Sequence, residues 1–468
     1  MTVFTPADTL HRLVKQALDS GAAASIAEAE ALFAGYRLGL RIAPETGRDP
    51  HHQAALLTAV ALGRRVFLGG VSVAGTLDVP LLAPLSFGTT LAEAVIALGG
   101  IIGEAPERTP LIDIGGEPSP RYSPFHIRAV FAGWRGGIVS APITAAPAPA
   151  PIMALAPMLA AALAVNEAFL FVSGQSAVAG RRTIGLSLWN PAATCDWLSV
   201  PAGEPELQLL PSHLWLIGLG HLGQAYLWAL GLLPYAQPAQ LRLVLQDIDI
   251  ITPSTESTSV LSDGALIGQK KTRAMAAWVE RRGFVTAIHE RRFEGSFKRH
   301  ADEPPIALCG LDNALGRQAL DQVGFDFVVE AGLGRGYRDF RALRLHTLPA
   351  RRSAAKIWGA DSETGPVNDQ PAYTRLLNEG RLDRCGVTLL AGKAVGAPFV
   401  GAVAATIAVA EILRLLHGGT VHELIDLDLK ALEYRTAVPS QTDFTTLNPG
   451  YVLSRRPDRA PAQGESAS

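Results

Sequence analysis

Three glycines, three acids and a lysine stand where nucleotide chemistry would need them. Gly218, Gly220 and Gly223 fall in the run Gly-Leu-Gly-His-Leu-Gly, directly after the apolar segment Leu214 to Ile217. A second apolar segment, Leu241 to Leu245, leads into Asp247 and Asp249. The order is strand, glycine turn, helix, strand, acid. Gly218 permits a tight turn, Gly220 lets backbone N–H groups approach a phosphate, and Gly223 lets the helix pack close to the strand. The helix N-terminus adds partial positive charge. An acid at the end of the second strand can accept hydrogen bonds from ribose hydroxyls. Alone, this motif fits an NAD-dependent dehydrogenase as well as an ATP site.

The residues downstream narrow the choice. The Ser/Thr-rich stretch after Asp249 has no helical or strand period and reads as a loop. Ala265 opens a helical pattern with Lys270 and Lys271 in its early turns. A lysine there is usually solvated surface, but beside a phosphate cradle it becomes a point charge for an α-phosphate. Pro304 to Cys309 reads as a third strand, running into Gly310-Leu-Asp312-Asn313, with Arg317 on the next helix. Open α/β sheets place ligand residues just past the carboxyl ends of their strands. Asp312 can therefore hold Mg²⁺ together with phosphate oxygens. It can equally cap a helix over 313–323, and the two roles are compatible. Phe325 to Glu330 is a further strand.

Those segments need a scaffold, and the composition bounds it. The chain has 468 residues, of which 48% are hydrophobic and 18% charged. That is enough for two or three domains with sizeable cores. A formal net charge of −2 with no basic run argues against nucleic acid as a partner. Cys195, Cys309 and Cys385 lie far apart, without a CxxC, so neither a zinc ribbon nor a disulfide framework is indicated. A reduced, cytoplasmic setting follows. The N-terminus reads as an amphipathic segment, not a signal peptide. The apolar stretches 151–165 and 395–410 read as buried helices, so no membrane partner is expected.

The N-terminal half is mixed α/β. Two short helices are expected within 1–34, and another over 51–64. Strands are expected at Val66 to Val73, Ala129 to Ala132, Gly137 to Ser140 and Thr183 to Leu188. Helices are expected at Leu91 to Leu98 and Met153 to Phe169, with a Pro/Ala-rich linker over 141–151. Gly133 to Gly137 could be the remnant of a cradle, but no acid follows at the right offset, and the half reads as structural. The proline-punctuated stretch 190–209 marks a boundary, giving units 1–205 and 206–454 and a polar, disordered tail 455–468. The fold class expected is α/β, a Rossmann-like mostly parallel sheet with helices on both faces, plus an N-terminal α/β half.

Taken together, GLGHLG at 218–223, the acids Asp247 and Asp249, IGQKK at 267–271, GLDNALGR at 310–317 and the apolar helix 396–416 resemble the adenylation domain of the E1-like superfamily. That superfamily contains the ThiF, MoeB and HesA proteins and the eukaryotic E1 enzymes. The resemblance covers roughly 206–435 and implies a role for each matching position. Gly218, Gly220 and Gly223 would line the ATP phosphates and Asp247 would hold the ribose. Lys271 would contact the phosphates, and Asp312 would bind Mg²⁺ and the reacting phosphate. Asn313 and Arg317 would brace that loop. The family also carries an Asn-x-x-Arg-Gln run between the second acid and the lysine. Here Thr255, Thr258 and Ser259 occupy those places, so the customary arginine is absent. Its replacement would come from the N-terminal half or from the second subunit of a homodimer.

Cys385 lies in RLDRCGVTLLAGKAVG, within the Arg-, Asp- and Gly-rich stretch 350–394, which shows no regular period. Arg381 and Arg384 beside it would favour a thiolate. Its place before the long closing helix resembles that of the catalytic cysteine in some family members. The resemblance thus implies ATP-dependent adenylation of the C-terminal carboxylate of a ubiquitin-like protein. Thioester formation on Cys385 and transfer to an E2-like partner would follow. The N-terminal half would be an inactive, pseudo-adenylation half. The Ala-, Gly- and Arg-rich composition suggests a bacterial chain, and bacterial ubiquitin-like conjugation operons, antiphage ones included, are the setting implied. Two rivals stand beside this reading: an NAD(P)-dependent oxidoreductase on the same glycine turn, and a degenerate adenylation fold acting as a scaffold.

Overall fold

Two open sheets share one hydrophobic core in the computed structural model, which describes residues 4–359, 370–379 and 382–455. The chain opens with three short helices where two were expected: α1 (Pro6–Thr9), α2 (Lys15–Asp19) and α3 (Ile26–Ala34). Two of the three starts carry a capping signal. Thr5 and Asp8 form a capping box at α1, and Ser25 accepts from the Glu28 N–H at α3.

The first sheet follows. Its parts are β1 (Leu38–Ile42), α4 (Pro50–Gly63), β2 (Val71–Gly75), α5 (Leu91–Ala97), β3 (Ile101–Ile102), β4 (Leu111–Ile114), β5 (His126–Ala132), β6 (Arg135–Ser140), α6 (Ala156–Val172) and β7 (Ile184–Ser187). The strand order is β3-β2-β1-β4-β5-β6-β7. The pairings from β3 through β5 are parallel and the last two antiparallel. Three strands, β1, β3 and β4, escaped the sequence reading. They are only two to five residues long, too short for the alternation in β1 and β4 to stand out from the flanking loops. The strand expected from Val66 begins only at Val71. Val66 and Phe67 are buried in a turn that closes at Gly70, which has a φ of +116°. The run Gly133 to Gly137 is not a remnant cradle. It makes the turn and start of the β5–β6 hairpin, and no helix follows that turn. A Cβ on Gly136 would stand 2.4 Å from the Ala156 carbonyl oxygen, so close packing of α6 accounts for that glycine.

The second sheet begins after β8 (Leu209–Pro211). It comprises β9 (His213–Ile217), α7 (His221–Leu232), β10 (Arg242–Gln246), α8 (Pro253–Glu256), α9 (Lys271–Arg281), β11 (Val285–His289), β12 (Ile306–Cys309), α10 (Ala314–Gln318), β13 (Phe327–Leu333) and β14 (Ala342–Leu348). Then come α11 (Ala354–Ile357), α12 (Pro371–Asn378), α13 (Arg384–Ala391), α14 (Pro398–Leu416), β15 (His422–Asp428) and β16 (Thr436–Pro439). Finally β17 (Tyr451–Leu453) pairs with β8. The eight strands run β11-β10-β9-β12-β13-β14-β15-β16, parallel through β13 and antiparallel beyond it. This is the Rossmann-like, mostly parallel sheet expected. α7 and α14 cover one face, while Phe293, Phe297, Leu320 and, from α11, Ala354 close the other over Trp215 and Val328. The stretch 350–394 is less irregular than its composition suggests, since α11, α12 and α13 lie within it. Arg381 and the tail beyond 455 lie outside the described residues.

The two sheets meet through their helices. α14 packs against both α7 and α6. Phe169 of α6 and Phe399 of α14 have ring centroids 6.0 Å apart. The Trp228 indole N–H donates to Thr58 Oγ1 at 3.0 Å, and Asn166 Nδ2 donates to the Leu429 carbonyl at 3.1 Å. α14 is long and apolar enough to cross a membrane by composition, yet its most apolar stretch is 89% buried inside the protein. Both apolar stretches read as core helices are core helices.

Candidate active site

Three glycines do three different things here. Gly218 leaves β9 at a φ of +83°, a conformation that strains any side chain. A Cβ on Gly223 would stand 2.0 Å from the Gly218 carbonyl oxygen, so this glycine lets α7 sit against the turn. Gly220 is open: the nearest atom to a Cβ there would be Lys271 Nζ, at 4.0 Å. Sterics thus explain two of the glycines. The third keeps bare backbone facing the one lysine at the cradle.

The acids and lysine close the mouth of that cradle. Asp247 Oδ2 accepts from the Leu219 N–H at 2.7 Å, and Asp247 Oδ1 from the Asp249 N–H at 2.8 Å. Lys271 Nζ lies 3.0 Å from Asp249 Oδ2 and 3.8 Å from Asp247 Oδ2. Lys270 turns away and donates to the Ile248 carbonyl. Lys271, the first residue of α9, is therefore the lysine at the cradle.

At the end of β12, the helix expected over 313–323 is shorter, and its cap is Asn313, not Asp312. Asn313 Oδ1 accepts from the Gly316 N–H at 2.7 Å, and α10 then runs only over Ala314–Gln318. Asp312 is left exposed at the strand's carboxyl end. Arg317 donates from Nε and Nη2 to the Leu311 carbonyl, at 2.9 and 2.6 Å, and its Nε lies 2.8 Å from Glu330 Oε1. These bonds hold Arg317 on the carbonyl of the residue next to Asp312. Burial pushes the Glu330 carboxyl up to about 7, with Arg317 pulling it back. Among the described residues no group of three or more His, Cys, Asp or Glu is arranged to hold a metal ion.

The segment after Asp249 is not a plain loop. Thr252 caps the short helix α8, and the 3-10 turn Gly264–Leu266 follows. Thr258, where the family's arginine would sit, is buried, and its Cγ2 would lie 3.0 Å from a Cβ on Gly396. The N-terminal segment occupies the space beside it. The Arg12 N–H donates to Ser257 Oγ at 3.1 Å, and Arg12 Nη2 to Ser254 Oγ at 3.2 Å. Burial lowers the Arg12 guanidinium, while Asp8 and Asp312 hold it up, so Arg12 feels the charge of Asp312. Sequence reasoning missed Arg12. A single arginine in an amphipathic N-terminus carries no signal, and only the fold brings it within reach of a site more than two hundred residues downstream.

Cys385 is exposed at the second position of α13, whose N-cap Asp383 accepts from the Gly386 N–H at 2.7 Å. The other two thiols differ. Burial pushes Cys309 up to about 12 inside β12, as its apolar strand predicted, and raises the half-buried Cys195. The N-terminal segment touches the cysteine helix as well as α8: α1 packs on both. Lys15 Nζ donates to the Ala391 carbonyl at 3.2 Å and to Asp19 Oδ2 at 2.5 Å, and the Tyr373 hydroxyl of α12 donates to Asp19 Oδ1 at 2.5 Å.

A glycine cradle, a lysine across it and an acid at the next strand end, on a mostly parallel sheet, are the arrangement that the resemblance to E1-like proteins implies. Residues 210–419 match the BilD C-terminal domain, and residues 37–188 match the BilD N-terminal domain. The bacterial E1-like protein BilD of Collimonas sp. (strain OK412) is 48% identical over 423 residues, covering 89% of this chain and 90% of that one. The chain belongs to the BilD family. Among solved structures, E. coli MccB with MccA-N7isoASN is similar at 12% identity and a TM-score of 0.33, over 49% of this chain and 64% of that one, less than two thirds of its length. E. coli tRNA N6-threonylcarbamoyladenosine dehydratase, TcdA, is similar at 14% identity and a TM-score of 0.28, over 44% and 86%.

Proposed function

We propose that this E1-like protein activates the C-terminal carboxylate of a ubiquitin-like protein with ATP, captures it as a thioester on Cys385, and passes it to an E2-like partner. The observation that carries this reading is the open face of Gly220 opposite Lys271, with Asp312 exposed at the neighbouring strand end. A carboxylate is a poor electrophile. Its attack on the α-phosphate of ATP releases pyrophosphate and leaves an acyl-adenylate, whose leaving group is AMP. The chain's part is to position and to neutralise charge. Lys271 exchanges Asp249 for a phosphate, backbone N–H groups at the start of α7 meet another, and Asp247 faces the ribose. Asp312 supplies the single carboxylate that Mg²⁺ travelling with a nucleotide needs, beside phosphate oxygens and water. Arg12 stands in for the arginine absent at Thr258. The Cys385 thiolate then attacks the acyl carbon, AMP departs, and the acyl group is held as a thioester. In this reading residues 1–205 form the inactive half, and the protein works in the cytoplasm.

The test is intact mass spectrometry of the full chain with ATP, Mg²⁺ and a candidate ubiquitin-like protein, beside Cys385→Ala and Asp312→Ala. A thiol-sensitive adduct in the wild type, lost in both variants, is expected. An adenylate that forms without an adduct would demote Cys385 alone. Neither product, with a partner that binds, would sink the enzyme reading in favour of the scaffold. Tight NAD with no ATP would favour the oxidoreductase.

A further inference from the structure

The N-terminal sheet sends one arginine into the wall of the candidate active site. Arg65 follows α4 and is almost wholly buried. Its guanidinium spends its donors on backbone carbonyls. Nε donates to Glu256 at 2.9 Å, and Nη2 to Val260 at 3.0 Å and Ser262 at 2.7 Å. Only Nη1 stays within its own half, donating to Ala61 at 2.6 Å. Three of the four acceptors thus belong to the stretch between Asp249 and Lys271. Arg64 adds a bond from Nη2 to Glu256 Oε1 at 3.1 Å.

That stretch is held from the other side by the cradle helix. Gln224 of α7 accepts the Leu261 N–H at 3.0 Å, and its Nε2 donates to Ser262 Oγ at 2.8 Å and to the Leu219 carbonyl at 3.2 Å. The backbone of Arg65 has a second client: the part-buried His11 ring hydrogen-bonds to it, and the next residue is Arg12. One residue therefore ties together the loop that presents Ser254 and Ser257, and the segment that brings Arg12 to those hydroxyls.

We propose that Arg65 is a positioning residue of the nucleotide site, splinting residues 252–262 and the Arg12 segment over the phosphate cradle from the N-terminal half. The inference rests on the ATP-site reading given above. Its physical basis is directional. A guanidinium can satisfy several carbonyls at fixed angles, whereas an ammonium on the same stem cannot reach them all. The N-terminal half would then take part in nucleotide binding without contacting nucleotide through Arg65 itself.

The experiment compares full-length wild type, Arg65→Lys and, as a matched control, Arg182→Lys, whose arginine bonds Glu167 far from this loop. Hydrogen exchange reads the loop, and titration with the ATP analogue AMP-CPP and Mg²⁺ reads the site. In Arg65→Lys, faster exchange confined to 252–262 and about tenfold weaker AMP-CPP binding are expected, from the loss of hydrogen bonds to a charged donor. β9 and α7 should stay protected, and the control should match wild type. Unchanged loop exchange, or loosened exchange with unchanged affinity, would overturn the proposal. Should wild type bind no AMP-CPP, the ATP reading fails, and loop exchange alone decides whether Arg65 is a splint. Should Arg65→Lys not fold, the half-buried Arg64→Gln carries the same comparison with a smaller shift.

Discussion

Single side chains here are tuned by burial, and burial sets opposing pH dependences. The rings of His11 and His221 are pulled down to about 4 by desolvation. An unfolded histidine titrates near 6.5, so between those values the unfolded chain binds protons that the folded chain refuses. Stability from these rings is complete above pH 6.5 and is lost as pH falls through 4. Glu330 works the other way. Its folded value of about 7 lies above the ordinary 4.5, so its contribution is present below pH 4.5 and is lost as pH rises through 7. Each shift corresponds to roughly 3 kcal/mol. Thermal melts across pH 4–8 should show His221→Gln flattening the acid limb and Glu330→Gln flattening the slope between pH 4.5 and 7. A wild-type acid limb retained in His221→Gln would show that this ring is not buried neutral.

At the scale of the element, the strand–turn–helix β9–α7 makes a sharper prediction, because its glycines do separate work. Gly223→Ala places a methyl 2.0 Å from a carbonyl oxygen that cannot retreat without unseating α7. It should destabilise the protein by about 3 kcal/mol, seen as a lower denaturant midpoint. Gly220→Ala meets nothing nearer than Lys271 Nζ at 4.0 Å. It should melt close to wild type yet lose ATP affinity, since its methyl would stand where a phosphate must approach the backbone. Equal melting losses in the two variants would contradict this division. The cysteine helix depends on its cap: Asp383→Ala should loosen α13 by about 1 kcal/mol, read as faster amide exchange over 384–391.

At the scale of the whole molecule, the two sheets are not independent beads. α6 and α14 form a continuous apolar layer, with Phe169 against Phe399 and Trp228 bonded to Thr58. Heating should therefore give one cooperative calorimetric transition, not two. Phe169→Ala should lower it by about 3–5 kcal/mol through a cavity at the junction. A variant starting at residue 206 would expose the apolar faces of α7 and α14 and should aggregate. Two resolved transitions, or a monomeric soluble C-terminal piece, would refute the shared core.

Much of this molecule could be read from local sequence. The β9–α7–β10 unit declared itself because glycine spacing, an apolar run and a terminal acid all lie within one short stretch. The same holds for Asp312 at the end of β12 and for the core helices α6 and α14, whose long apolar runs exceed any turn or edge strand. The short strands β1, β3 and β4 stayed silent, since a strand of two to five residues becomes a strand only when neighbours supply its hydrogen bonds. Asn313 took the cap from Asp312 because adjacent residues of equal capping propensity are separated only by backbone geometry. The most consequential relations were wholly tertiary. Arg12 beside Ser254, Arg65 on the carbonyls of 256–262, and α1 between α8 and the cysteine helix join residues far apart in the chain. No spacing rule encodes such contacts, and only the packing of one half against the other brings them together.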